Sequence, residues 1–143
     1  MSDNYPVVAK DLLNPLLDLF SLSREACGGD VDKFLILLVI AVRTTEHQAF
    51  AKLTNDQLAS GEIKVFPTLG ANVRSIADSL HIPKESVRRK VAEMIETGWV
   101  AREGNNLLFT AQAYREVAHV RVAIESLAVR NYELVRSLVK AAG

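Results

Sequence analysis

The chain is poor in the residues that commit a protein to a particular chemistry. It has one cysteine in 143 residues, which excludes an internal disulfide and fits a reducing compartment. It has no net formal charge, with 17 basic and 17 acidic side chains, so it lacks the basic excess that advertises many nucleic-acid binders. Its longest apolar run, Phe34 to Val42 (FLILLVIAV), falls well short of the ~20 residues that cross a bilayer. The first residues are polar and acidic, so no secretory signal is expected, and a cytoplasmic protein without a membrane partner is the reading. His47, His81 and His119 are widely separated. No metal-ligand spacing, nucleophile–base pair or glycine-rich phosphate loop stands out. Neither a metal, a cofactor nor an enzymatic activity is therefore expected.

What is present is a globular composition, 49% hydrophobic and 24% charged, in a length that suits one domain over residues 1–143. Charge is unevenly placed. Residues 1–70 carry six basic and nine acidic side chains, 71–109 six and five, and 110–143 five and three. Any nucleic-acid surface must therefore be local.

Apolar residues at helical spacing run from Val7 to Phe20, with Pro15 among them. Proline removes a backbone donor, so a short or broken helix is expected there. SREACGGD reads as a loop. Asp30 or Asp32 can cap a helix expected from about Val31 to Leu58, whose first half is apolar all round and so should be buried on all sides, either in the domain or between subunits. A buried strand is the rival reading for Phe34–Val42. Pro67 and Gly70 break the connector SGEIKVFPTLGAN, where Ile63–Phe66 could form a short strand. Two short helices follow, about Val73–Leu80 and Pro83–Thr97, the second closed by Gly98. WVAREGNNLLFT reads as a hairpin turning at Glu103-Gly104-Asn105-Asn106.

A long helix is expected from about Ala111 to Ala141. Val117, Ile124, Asn131 and Leu138 recur every seven residues, and Val120, Leu127, Leu134 and Ala141 form the second stripe of a heptad pattern. A lone Asn in such a seam fixes register and partner number at some cost in stability. This pattern points to a homodimer interface, with packing inside the domain as the plainer alternative. Val122, Val129 and Val139 widen the apolar face toward a further helix.

The segment from Ser75 to Val100, SIADSLHIPKESVRRKVAEMIETGWV, carries the functional signal. Ile76, Ala77 and Leu80 give its first helix a buried face, and Val87, Val91, Met94 and Ile95 do the same for the second. Arg89 and Lys90 lie away from that core and Arg88 toward one edge. The N-terminal half of the second helix is basic and its C-terminal half acidic, an order that opposes the helix dipole. Folding gives no reason for it, whereas docking that end on phosphates does.

These residues resemble the winged helix-turn-helix domain of bacterial transcription regulators. Ala77 matches the small residue where the two helices touch; Leu80, Ile82, Val87 and Ile95 match core positions; Gly98 and Val100 match the exit into the wing. The resemblance covers about residues 71–110. Helices before it (1–60) and after it (111–143) give a layout similar to MarR-type regulators, which dimerise through their terminal helices. The resemblance implies a mainly α fold with a small hairpin wing and a homodimer on double-stranded DNA, with helix 83–97 in the major groove and wing 99–110 on the backbone or minor groove. By position, Lys84, Glu85, Ser86, Arg88, Arg89 and Lys90 would face the major groove, Arg74 and Ser75 the backbone, and Arg102, Asn105 and Asn106 would be the wing's contacts. Half-sites would lie about 34 Å, or a multiple of it, apart.

This chain departs from the pattern in two places. The wing has only Arg102, offset by Glu103, and His81 stands where the turn commonly has glycine. Histidine tolerates positive φ better than most residues. Pro83 presets the start of the second helix but supplies no capping side chain. The thin wing and neutral charge keep a second reading open, a winged-helix module for protein contact without sequence-specific DNA binding. Cys27, before Gly28-Gly29 near an expected helix start, invites a redox-sensor reading, against the plainer one of a small residue. Trp99 reads as a core residue at the helix–hairpin junction. Glu46 and His47 lie near an expected inter-helix cleft. An unidentified small-molecule effector is compatible with the layout, but no residue pattern defines it.

Overall fold

A computed structural model of the protein describes residues 4–142. The fold is mainly α-helical with one two-stranded antiparallel hairpin. The elements run α1 (Tyr5–Ala26), α2 (Val31–Thr45), α3 (Gln48–Ala51), α4 (Asn55–Ser60), α5 (Val73–Leu80), α6 (Lys84–Glu96), β1 (Val100–Glu103), β2 (Asn106–Phe109), α7 (Ala111–Glu116) and α8 (Ala118–Ala142). The described residues divide into two compact units, one of residues 4–29 with 118–142 and one of residues 30–117. Residues 30–60 and 111–117 belong with the central helices, because α2 and α7 supply part of their core.

Three helix boundaries differ from expectation, each for a local reason. Pro15 does not break α1, which runs unbroken for 22 residues. Its ring is buried, and it lies beside Arg130 and Leu134 of α8, so packing offsets the missing hydrogen bond. The helix expected over Val31–Leu58 is three helices. His47 restarts the chain by accepting the Ala49 amide on Nδ1 at 3.0 Å. Thr54 and Gln57 then form a reciprocal capping box that opens α4. The helix expected over Ala111–Ala141 is interrupted at Val117, which packs against the core of the central unit.

In the central unit, α2 is helical through Phe34–Val42, which excludes the strand alternative. Asp30 caps it by accepting the Lys33 amide at 3.0 Å. Within the chain it is buried along one line only (Ile36, Leu37, Ile40, Thr44), whereas Val31, Leu38 and Val42 are exposed. Ile36 and Ile40 join Ile76, Val87, Val91, Met94, Val100 and Leu107 in one continuous core. Phe66 extends it, with ring centroids 5.9 Å from Phe50 and Tyr114 and 6.1 Å from Phe109. The segment expected as a strand over Ile63–Phe66 makes a single bridge, Val65 with Thr110. The hairpin pairs Val100 with Phe109 through Glu103 with Asn106. Its two-residue turn has Gly104 at φ 60°, the first-position glycine of a type II′ turn.

In the other unit, α1 and α8 run antiparallel. Asp11 lies beside Arg130 and Glu133, and Leu22 beside His119 and Ala123. No helix among the described residues is long and apolar enough to cross a membrane.

Candidate nucleic-acid interface

The Leu80–Pro83 joint sets the geometry of the site. His81 adopts φ 56° and ψ 40°, the left-handed conformation expected at this turn, and its amide bonds the Ala77 carbonyl. It is the only non-glycine residue with positive φ among those described. Its side chain is exposed. Ala77 and Ile76 are buried against α6, and this fixes the angle between the two helices. Pro83 opens α6 without a side-chain cap, so the first amides of α6 receive no capping side chain.

Three segments converge on one cleft of about 410 Å³, lined by Asn72, Val73, Arg74, Lys84, Arg88, Arg102 and Asn105. Asn72 and Arg74 come from the start of α5, Lys84 and Arg88 from the start of α6, and Arg102 and Asn105 from the hairpin. Four cations therefore face one volume, and no carboxylate among the described residues lines it. Like charges so gathered repel one another; an ion pair from Glu85, outside the cleft, offsets Arg88 alone. The N-terminal ends of α5 and α6 both meet the cleft, adding the positive ends of two helix dipoles.

Of the residues singled out from sequence, Arg74, Lys84, Arg88, Arg102 and Asn105 come together here. Glu85 and Arg89 lie outside the cleft on the outward line of α6, both exposed. Ser86 is half-buried, and Asn106 lines a different hollow with His47, Pro67 and Thr68. Ser75 has a structural duty. Its hydroxyl accepts the Asn72 amide at 3.0 Å while Asn72 Oδ1 accepts the Ser75 amide at 2.8 Å, capping α5.

Lys90 requires a larger correction. It faces α2, not the outward side, and its ammonium pairs with the Asp30 carboxylate, its side chain only 13% exposed. Lys33 pairs with Glu93 at 2.9 Å alongside it. These two pairs bind the back of α6 to the first turn of α2. Burial alone would raise the Asp30 carboxyl, but the bond from Lys90, the Lys33 amide and the two lysine charges outweigh it and lower its pKa. Glu93 is lowered too, chiefly by its bond with Lys33. The sequence signal for this contact was present but unread: Asp30 and Lys33 sit on the first turn of an apolar helix, and Lys90 and Glu93 share one flank of α6. Asn72 and Val73 were likewise missed as cleft residues.

The heptad stripe is unevenly covered. Val120 is buried, and Leu127, Asn131, Leu134 and Leu138 are half-buried, with Leu127 and Leu134 beside Pro15 of α1. Ile124 is exposed, and Val117 packs in the central unit. Packing inside the chain thus covers Val120 fully and Leu127, Asn131, Leu134 and Leu138 in part. Asn131 Oδ1 is buried without a hydrogen-bond partner. Other apolar side chains stay exposed: Leu13, Leu17 and Phe20 on α1 and Val122, Val129, Tyr132 and Val139 on α8.

Cys27 is buried and closes the C-terminal end of α1, so it is not at a helix N-terminus. Trp99 is half-buried against the core and donates to Glu116 Oε2 at 2.7 Å. Among the described residues no three His, Cys, Asp or Glu side chains converge as a metal site. Comparison with protein-family models, curated proteins and solved structures returns no match for this chain.

Proposed function

We propose that the chain is a winged helix-turn-helix transcriptional regulator that binds double-stranded DNA as a homodimer. In this reading α6 enters the major groove, the β1–β2 hairpin is the wing, and a backbone phosphate occupies the cleft between them. The observation that carries it is the convergence of Arg74, Lys84, Arg88 and Arg102 on one carboxylate-free cleft in a protein of zero net charge. Phosphate oxygens would accept from these side chains and from the uncapped amides of α6. Such contacts fix position and supply much of the affinity. The sparse basic charge of the wing matters less in this arrangement, since Arg102 acts beside three cations from the helices.

The dimer half of the proposal rests on the α1–α8 pair. Two helices cannot by themselves bury two apolar faces, and Leu13, Leu17, Phe20, Val122, Val129 and Tyr132 remain exposed. A second copy would cover them and complete a four-helix arrangement. In this reading the interface includes these exposed residues of α1 and α8 and is not confined to the heptad stripe.

The test is selection of genomic DNA fragments by the purified protein at low salt, followed by titration of the enriched duplex. Enrichment of one inverted repeat is expected. Retention of no fragment above background would overturn DNA binding and favour the protein-contact module.

A further inference from the structure

Glu85 is out of place on a phosphate-binding surface. It sits in the first turn of α6, beside two cleft cations, with its side chain 79% exposed. A carboxylate there repels the DNA backbone at every sequence, so non-specific binding is weaker for its presence. A first-turn acidic residue does favour the helix dipole, but a site turned away from the DNA would serve that purpose equally. Its position on the helix shows what else it can do. With 3.6 residues per turn and Val87, Val91 and Met94 buried, the line opposite the core carries Glu85 and, one turn on, Arg89. Arg88 lies to one side in the cleft, where Glu85 holds it in an ion pair. Arg89 makes no ion pair among the described residues and is exposed.

We propose that Glu85 and Arg89 read one G·C base pair, with Arg89 donating to guanine and Glu85 accepting from the cytosine amino group. The inference rests on the DNA-binding reading above. In the major groove a G·C pair presents two acceptors, N7 and O6, followed by one donor, the N4 amino group. An outward guanidinium beside an outward carboxylate is the complement of that edge. An A·T pair with adenine replacing guanine turns the position facing Glu85 into the O4 acceptor of thymine, which repels it. Docking would exchange partners. Glu85 gives up Arg88 for cytosine, and Arg88 gives up Glu85 for a phosphate in the cleft. At a base without a donor in that place the exchange leaves a carboxylate unpaired, and this converts repulsion into sequence discrimination.

The experiment is selection from a random-sequence duplex library by the full-length wild type, Glu85→Ala and Glu85→Gln, with thermal melting to confirm that each variant folds. The wild type should show a G·C column in each half-site, with a roughly tenfold or larger loss when it is changed to A·T. Glu85→Ala should flatten that column alone while binding random DNA more tightly. Glu85→Gln should shift the same column toward adenine, which a glutamine amide matches. If both folded variants keep the wild-type column, Glu85 does not read a base and the inference fails while DNA binding stands. If no protein selects DNA at all, both readings fail together.

Discussion

The pair that binds α6 to α2 allows the sharpest test of the architecture, because Asp30 does two separable things. Its carboxylate caps α2 through the Lys33 amide, and it neutralises the Lys90 ammonium. Asparagine caps about as well as aspartate, so Asp30→Asn removes the charge and keeps the cap, whereas Asp30→Ala removes both. Exposed ion pairs contribute up to about 1 kcal/mol, and removing one partner of a fully buried pair costs about 3–5 kcal/mol. Side-chain exposures of 28% for Asp30 and 13% for Lys90 lie between those limits. After allowance for solvent screening, Asp30→Asn should cost about 1–2 kcal/mol. Asp30→Ala adds a lost cap of about 1 kcal/mol. Urea unfolding followed by far-ultraviolet circular dichroism measures both. The pH dependence has a definite sign. The Asp30 carboxyl is lowered in the folded protein, so its stabilisation is complete above its unfolded-state value, about 3.9. It is lost as pH falls through the folded value. The gap between wild type and Asp30→Asn should therefore be full at pH 7 and close on acidification toward pH 3. An Asp30→Asn protein as stable as wild type at pH 7, or a gap that does not change with pH, would refute the assignment of Lys90 to this pair.

The same assignment separates Lys90 from the cleft cations on DNA. A dimer that engages all four cleft cations in each chain should show a salt slope of about −7, since each neutralised phosphate contributes about 0.9. Arg102→Ala should reduce its magnitude by about 2, while Lys90→Met should leave it unchanged; fluorescence anisotropy across a salt series distinguishes them. Leu17→Glu should convert a sedimenting dimer to monomer at micromolar concentration, and a wild type that sediments as a monomer would remove the dimer. His81→Gly should raise stability by up to about 1 kcal/mol, because glycine relieves the left-handed backbone, and an unchanged urea midpoint would show that His81 compensates through contacts of its own.

Local rules located the elements that local chemistry controls. The α5 and α6 boundaries, the left-handed conformation of His81, the uncapped Pro83 and the hairpin around Gly104 all follow from turn and capping preferences within a few residues. The errors fell where distant packing decides. Pro15 survives inside α1 because α8 lies against it. Val117 interrupts a heptad-patterned helix because it packs in the core of the central unit, with no breaker residue to announce it. The division of Val31–Leu58 was legible, since Thr54 and Gln57 have capping-box spacing, but a run of helix-compatible residues outweighed that signal.

Charge was harder to read than structure, because a sequence gives the sign of a side chain and not its partner. KESVRRK presents four cations in seven residues, and these divide three ways. Lys84 and Arg88 join the cleft, Arg89 stands alone on the outward line, and Lys90 turns back to Asp30, 60 residues away. Helical periodicity predicts that fan of directions, but only the packing of α2 on one flank and of the hairpin on the other gives each direction a chemical meaning. The basic-then-acidic order of α6 therefore has two causes: its first cations gather at the cleft, while Glu93 near its end answers Lys33 on α2. An argument from the dipole alone would assign the whole order to DNA, and the Lys33–Glu93 pair shows that the acidic half contributes to the fold.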